Sequence, residues 1–110
     1  MSRSLLIQLA YESIEEVLQA KQFIKKEKIL KEYPLLKESI PMTLKIFVKD
    51  ELRGYYEDMA HKTLIDNILI GAKIAAFEDP NSQPLKVREF LRAEIEISLQ
   101  TAEGIISHRA

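Results

Sequence analysis

The amino-terminal part of the chain has the apolar pattern of an amphipathic helix. Apolar residues recur three and four positions apart from about Ser4 to Phe23. Glu12 falls between them, on the face that such a helix would turn toward water. The lysine-rich stretch from Lys21 to Glu32 either continues this helix or forms a second, shorter one.

The middle of the chain alternates between apolar and polar residues, as a half-buried strand does. The apolar positions of this strand are Met42, Leu44, Ile46 and Val48. Asp50-Glu51 is predicted as a turn, and Leu52 to Tyr56 as the second arm of an antiparallel hairpin. Gly54 in this second arm predicts a bulge or a close approach of another backbone.

The second half of the chain predicts one long helix and one further strand. The helix runs from about Leu64 to Phe77, with Thr63 as its cap. Lys86 to Leu91 has the length of one helical turn, and Glu94 to Leu99 alternates as a strand. The tail from Thr101 to Ala110 is predicted to dock partly on the rest. The predicted fold class is α+β: a small antiparallel or mixed sheet, formed by the hairpin and at least one further strand, packed against two or more helices.

Composition restricts the class of protein. A chain of 110 residues fits one domain, predicted as residues 1–110. Hydrophobic residues make up 46% of the chain and charged residues 30%, which is typical of a globular protein rather than a disordered one. The net charge of -1 provides no general attraction to nucleic acid or to an anionic membrane, so neither is an expected partner.

The chain contains no cysteine, and this excludes several kinds of chemistry. Thiol nucleophiles, disulfides, zinc ribbons and iron–sulfur ligation are impossible within the chain. Its three glycines form neither a phosphate-binding loop nor a dinucleotide fingerprint. We therefore predict no cofactor and no metal. The apolar run Leu5-Leu6-Ile7 is too short for a signal peptide or a membrane span, so we expect a cytoplasmic protein.

Three segments carry a resemblance to a known family. They are Met42-Thr43-Leu44 leading to Glu51-Leu52-Arg53-Gly54, then Ile74-Ala75-Ala76-Phe77-Glu78-Asp79-Pro80 with Pro84-Leu85, and finally Ile95-Glu96-Ile97-Ser98-Leu99 followed by Glu103 and Ile105. In this order and spacing they resemble the AMMECR-type domain. The resemblance implies an α+β fold and a cytoplasmic setting but no established reaction. Genes of this family often neighbour those of Memo-like and radical-SAM proteins.

The chain departs from that family in two ways. In the family, Leu-Arg-Gly is typically followed by Cys-Ile-Gly, whereas here it is followed by Tyr55-Tyr56-Glu57. Family domains are also longer, so the chain resembles a shortened member whose sheet has an open edge. Because natural proteins rarely leave such an edge unpaired, we predict a homo-oligomer, most simply a two-fold dimer.

The candidate site lies on the second arm of the hairpin. A guanidinium at Arg53 can bind a carboxylate or phosphate, and Gly54 lets a ligand approach the backbone. Tyr55 is a candidate for a pocket or an interface, and Asp79 for a carboxylate beside Arg53. The structural alternative makes Gly54 a bulge and pairs Arg53 with Asp79 or Glu78. Asp79 then simply ends a helix by accepting amide hydrogen bonds. Both alternatives remain open at this point.

Three functions are consistent with these residues. The first is a non-catalytic module that holds a protein partner or a small anionic ligand at Arg53, Gly54 and Tyr55. The second is a small enzyme in which Arg53 binds an anion while Glu57, Asp79 or His61 moves protons. This enzyme needs a concave pocket where these groups meet. The third and weakest is RNA binding through the segment Lys21–Lys31.

Overall fold

The computed structural model describes residues 4–110. Its helices are α1 (Leu5–Gln19), α2 (Lys26–Glu32), α3 (Leu64–Phe77) and α4 (Val87–Phe90), with a 3-10 turn at Pro34–Lys37. Its strands are β1 (Met42–Val48), β2 (Glu51–Asp58), β3 (Ala93–Thr101) and β4 (Gly104–Arg109). The strands form one antiparallel sheet in the order β2-β1-β3-β4, and α1 and α3 pack on the sheet and on each other. The predicted α+β class is confirmed.

Helix α1 ends four residues earlier than its apolar pattern predicts. Ala20 adopts a left-handed backbone conformation with φ of 53°, and this stops the helix at Gln19. The Glu16 carboxylate then accepts hydrogen bonds from the backbone N–H groups of Phe23 and Ile24, each at 2.9 Å. The chain is therefore turned away from the helix axis, and the lysine-rich stretch forms the separate helix α2.

The core lies between the inner face of the sheet and helices α1 and α3. The side chains that are fully buried there include Ile14, Leu44, Ile46, Ile65, Ile68, Ile95 and Ile97. Burying each such side chain contributes roughly 1.5–3 kcal/mol to stability. Small residues on α3, among them Gly71 and Ala75, bring this helix close to the hairpin, which positions the candidate site.

The hairpin turns one residue earlier than predicted. Lys49 and Asp50 form the two-residue loop, with φ of 53° and 64°, while Glu51 already belongs to β2. Two consecutive positive φ values are the geometry of a type I′ turn, whose twist matches that of the flanking strands. Neither residue is glycine, so the turn holds two ordinary side chains in the left-handed region.

The tail forms a fourth strand, which the sequence analysis predicted only as a docked segment. Strand β4 pairs with β3 along its whole length, and Gly104 makes the turn with φ of 122°. Ala110 extends the pairing by two backbone hydrogen bonds with Ile95. The hydroxyl of Tyr11 lies 2.7 Å from the carbonyl oxygen of Ala110 and ties this end to α1. No helix within residues 4–110 is long and apolar enough to cross a membrane.

Candidate functional site

Strand β2 contains one residue more than the facing part of β1, and that residue is Arg53. Phe47 pairs with Leu52 and Ile46 pairs with Gly54, so Arg53 has no partner in the ladder. This is a β-bulge, one of the two features that Gly54 predicted. An extra residue in a strand changes the direction of its side chain. Here the bulge directs the guanidinium toward the chain before α4.

The Arg53 guanidinium is fully engaged with the protein itself. Its Nε and Nη2 atoms donate to the two carboxylate oxygens of Glu89, at 2.8 and 3.1 Å. Its Nη1 atom donates to the carbonyl oxygen of Gln83 at 2.6 Å. The ion pair of the structural alternative is therefore present, but with Glu89 instead of Asp79 or Glu78. The hydrogen bonds from Arg53, followed by that from the Lys86 backbone, hold the pKa of Glu89 below its usual 4.5.

Gly54 is the point where helix α3 lies against the sheet. A Cβ atom at this position would be 2.1 Å from the carbonyl oxygen of Ala75, closer than any real contact. The close backbone approach predicted from Gly54 is thus made by α3. The space that a ligand would need beside Gly54 is occupied by the helix.

The backbone of Tyr55, on the edge strand β2, is hydrogen-bonded to the side chain of Asp79. The Tyr55 N–H donates to Asp79 Oδ2 at 3.0 Å, on the side of β2 that has no neighbouring strand. The other oxygen of Asp79 accepts from the Asn81 N–H at 2.9 Å, so this carboxylate also closes the turn after α3. The Tyr55 hydroxyl donates to Glu57 at 3.0 Å. Partial burial and this carboxylate raise the pKa of Tyr55 above its usual 10.0.

The next residue, Tyr56, points to the opposite face and belongs to the core. Its hydroxyl donates to Asn67 Oδ1 at 2.8 Å, and its ring covers Gly71, where a Cβ would be 2.4 Å from the ring. Asn67 in turn donates to Asp58 Oδ2 at 2.9 Å. The Asn67 hydrogen bond, with help from the His61 N–H, lowers the pKa of Asp58. These polar groups stabilise the end of β2 and the start of α3.

A groove of about 530 Å³ lies between the hairpin turn and α4, and we call it the basic groove. Its lining residues are Val48, Lys49, Glu51, Leu52, Arg53, Arg88, Glu89 and Arg92. Arg53 and Glu89 neutralise each other. Within residues 4–110, the side chains of Lys49, Arg88 and Arg92 form neither an ion pair nor a hydrogen bond. Three unneutralised cations therefore face one concavity, opposed on its walls by Glu51.

The sequence analysis did not single out Arg88 and Arg92. Arg88 falls in the segment Lys86–Leu91, which was predicted only as a helical turn, and Arg92 directly follows that segment. The available signal was their spacing of four residues, which places two guanidinium groups on one face of such a turn. Their neighbourhood with Lys49 depends on the packing of α4 against the hairpin and has no signal in the sequence.

The groups proposed for acid–base chemistry do not converge at Arg53. Glu57, Asp79 and His61 are all absent from the walls of the basic groove. Glu57 lines a second groove of about 210 Å³ at the other end of the hairpin. In the described part of the chain, no group of three or more histidine, aspartate or glutamate side chains is placed to hold a metal ion.

The fold and the site define a small α+β domain with a cationic groove beside its edge hairpin. The family model named AMMECR1 matches residues 7–108. The chain therefore belongs to the AMMECR1 family, and the resemblance carried by the three motif segments is confirmed.

Comparisons with individual proteins add no activity. No curated protein matches the chain. Among solved structures, the chain is similar to the uncharacterized protein PH0010 from Pyrococcus horikoshii, with 25% sequence identity and a TM-score of 0.76. The match covers 87% of this chain and 49% of that one, so the chain spans about half the length of its neighbour. The shared fold does not by itself assign a function.

Proposed function

We propose that this chain is a non-catalytic binding module that holds an anionic ligand in the basic groove. The observation that carries the proposal is the convergence of Lys49, Arg88 and Arg92 without neutralising partners. Unpaired cations in a concavity attract anions, because their field is focused there. The groove volume of about 530 Å³ lies in the range of small-molecule sites.

The ion pair between Arg53 and Glu89 supports this function by positioning α4. Arg53 also donates to the carbonyl oxygen of Gln83, so the guanidinium connects β2 both to α4 and to the segment that precedes it. A bidentate pair of this kind holds both side chains in one relative orientation. Arg88 therefore faces the groove from a fixed helical turn. In this proposal Arg53 is a positioning residue, and Arg88 and Arg92 contact the ligand.

The test uses isothermal titration calorimetry with pyrophosphate as the probe at low salt. We expect the double variant Arg88→Gln, Arg92→Gln to bind pyrophosphate at least about a hundredfold more weakly, because each charge-assisted hydrogen bond contributes roughly 1.5–3 kcal/mol and a factor of ten corresponds to about 1.4 kcal/mol. The matched control is Lys28→Gln, Lys31→Gln, which removes two exposed charges from α2. Equal losses in both double variants, or no binding by the unchanged protein, would contradict the proposal.

The two alternative functions have less support from the geometry. The enzyme needs Glu57, Asp79 or His61 near Arg53, and none of them lines the basic groove. RNA binding through Lys21–Lys31 has exposed lysines in its favour, although Lys26 is paired with Asp66. The Lys28→Gln, Lys31→Gln control also measures any contribution from that segment.

We also propose that the chain self-associates along β4, as the expected homo-oligomer requires. Ile105 and Ile106 on this edge strand are 75% and 47% exposed. An apolar edge strand is a site for pairing with another strand. The single domain over residues 1–110 and the cytoplasmic setting stay predictions.

A further inference from the structure

Strand β4 has one edge that is open to a further strand. Ile95 and Ala110 are hydrogen-bonded to each other in both directions, so the backbone groups of every second residue of β4 point toward β3. The N–H and C=O groups of Ile105, Ser107 and Arg109 therefore point outward, where the described part of the chain provides no neighbouring strand. A row of unpaired backbone groups of this kind is a template for pairing with another strand.

The one arginine of β4 is turned away from this edge. Arg109 Nε donates to a carboxylate oxygen of Glu94 on β3 at 3.0 Å. Its guanidinium carbon lies 4.3 Å from the centre of the Phe47 ring, so the side chain crosses β3 and reaches β1. Charged side chains at an edge oppose pairing with another chain, and Arg109 does not act in this way because it lies over the middle of the sheet.

A second copy of this chain can pair with the open edge in only a few registers. In an antiparallel pair, outward-facing residues of one strand lie opposite outward-facing residues of the other, so the two-fold axis passes through a residue rather than between two. Registers centred on Ile106 or on Ser107 pair all but one of the six residues of β4. Every other register pairs half of the strand or less.

These two registers differ in what the isoleucines contact. With Ser107 on the axis, Ile106 lies opposite His108, and Ile105 lies opposite Arg109. With Ile106 on the axis, this side chain lies against Ile106 of the other copy, while Ile105 lies opposite Ser107. Two apolar side chains across a strand pair stabilise it, and Ile106 is 47% exposed in the single chain. The register centred on Ile106 therefore covers more apolar surface.

We infer that the chain forms a two-fold dimer in which β4 pairs antiparallel with β4 of a second copy, with Ile106 on the axis. The inference rests on the self-association proposed above and adds its symmetry and register. A second copy fits this edge because the edge is complementary to itself: Ile105 and Ser107 exchange both backbone hydrogen bonds, and the axis repeats the pair. Ile106 pairs with Leu99, which is buried under the helices, so the two Ile106 side chains meet on the helical face.

Cysteine cross-linking tests the register, because an introduced cysteine is the only thiol in this chain. With diamide as the oxidant, Ile106→Cys is expected to form a disulfide-linked dimer, since Cα atoms of a non-hydrogen-bonded pair are about 4.5 Å apart, within the range of disulfides. Ser107→Cys is expected to cross-link at least about tenfold more slowly, because its two copies are roughly 8 Å apart in this register. Leu35→Cys, at a leucine that is 72% exposed, measures random collision on non-reducing gels.

A mixture of two variants tests the same register with Ile106 unchanged. In the inferred dimer, residues 105 and 107 of opposite copies form a hydrogen-bonded pair with Cα atoms about 5.5 Å apart. Ile105→Cys mixed with Ser107→Cys is therefore expected to form a mixed disulfide about tenfold faster than either variant forms a dimer alone.

Light scattering of the unchanged protein at high micromolar concentration separates the register from self-association itself. A dimer mass, together with the fastest cross-linking at Ile106→Cys, supports both. A dimer mass with the fastest cross-linking at Ser107→Cys, or with Ile106→Cys no faster than Leu35→Cys, overturns the inferred register while self-association stands. A strictly monomeric mass overturns both.

Discussion

The two edges of the sheet are built in opposite ways, and the candidate site belongs to the protected one. At the β2 edge, the bulge at Arg53 interrupts the ladder, and the Asp79 carboxylate occupies the Tyr55 N–H. The loop that leads to α4 is bound to the same strand through the Gln83 carbonyl oxygen, and α4 itself is bound through Glu89. Bulges, charged side chains and covering loops are the devices by which proteins prevent a strand from pairing with another chain.

The β4 edge has no bulge in its pairing with β3, and its one arginine, Arg109, is bound to Glu94 on that neighbouring strand. Ile95 and Ala110 exchange two backbone hydrogen bonds. Because the bonding direction alternates along an antiparallel strand, the N–H and C=O groups of Ile105, Ser107 and Arg109 face away from β3. These backbone groups are thus available to another strand. The comparison teaches that the segment protecting one edge also builds the basic groove, whereas the other edge keeps unpaired backbone groups, and we propose self-association there.

The largest loss of stability should come from adding a side chain at Gly54, where α3 packs against β2. The added methyl of Gly54→Ala would collide with the carbonyl oxygen of Ala75 at 2.1 Å, and we expect a loss of about 3 kcal/mol in the free energy of unfolding. The matched variant at the open edge is Gly104→Ala, where no atom lies within 4 Å and only the φ of 122° adds strain. Its cost should be about 1 kcal/mol. If urea denaturation shows that the two variants lose the same free energy of unfolding, the two edges do not differ in this respect.

Removing the carboxylate that covers the β2 edge should have the next largest effect. Asp79→Ala leaves the Tyr55 and Asn81 N–H groups without their acceptor, and we expect a loss of about 1–2 kcal/mol. Asp79→Asn keeps an acceptor oxygen and should lose less. Amide hydrogen exchange at Tyr55 should accelerate in the alanine variant. Unchanged exchange there would mean that Asp79 does not protect this edge.

Acidification should weaken the connection between β2 and α4. The pKa of Glu89 is lower in the folded protein than its usual 4.5, chiefly because of the hydrogen bonds from Arg53. Between the folded-state and unfolded-state pKa of Glu89, the unfolded chain therefore binds more protons than the folded one. The free energy of unfolding falls as pH decreases through this interval. Urea midpoints between about pH 6 and pH 3 should fall more steeply for the unchanged protein than for Glu89→Gln. If the urea midpoints of the two proteins depend on pH with the same slope, the ion pair does not stabilise the charged form of Glu89.

The smallest effect on stability is expected at the open edge. Ile105→Lys alters a side chain that is 75% exposed, so the free energy of unfolding should change by less than about 0.5 kcal/mol. A lysine on an edge strand opposes pairing, and self-association should decrease. Light scattering at high micromolar concentration measures this, with Leu35→Lys as the control at a remote exposed leucine. A strictly monomeric mass for the unchanged protein would contradict the proposed homo-oligomer.

The sequence by itself determined the elements whose signals are local. Strand β1 follows the alternation of Met42, Leu44 and Ile46, and α3 spans Leu64–Phe77 as predicted, with the Thr63 hydroxyl accepting from the Asp66 N–H at its start. Periodicity and capping act within a few residues, so one segment contains all the information. The family motifs also lie in such short segments. The fold class and the bulge near Gly54 were accessible for the same reason.

Only the tertiary structure decided the end of α1, the strand β4 and the basic groove. The end of α1 depends on a carboxylate that reaches residues seven and eight positions further along the chain. The partner of Arg53 is Glu89, 36 positions away, whereas the sequence analysis paired it with Asp79 or Glu78. Which charges meet depends on how the hairpin and α4 pack, because packing rather than spacing brings distant residues together. The guanidinium of Arg53 is bound within the fold, to Glu89 and to the Gln83 carbonyl oxygen, and our proposal therefore assigns the ligand to the cations beside it.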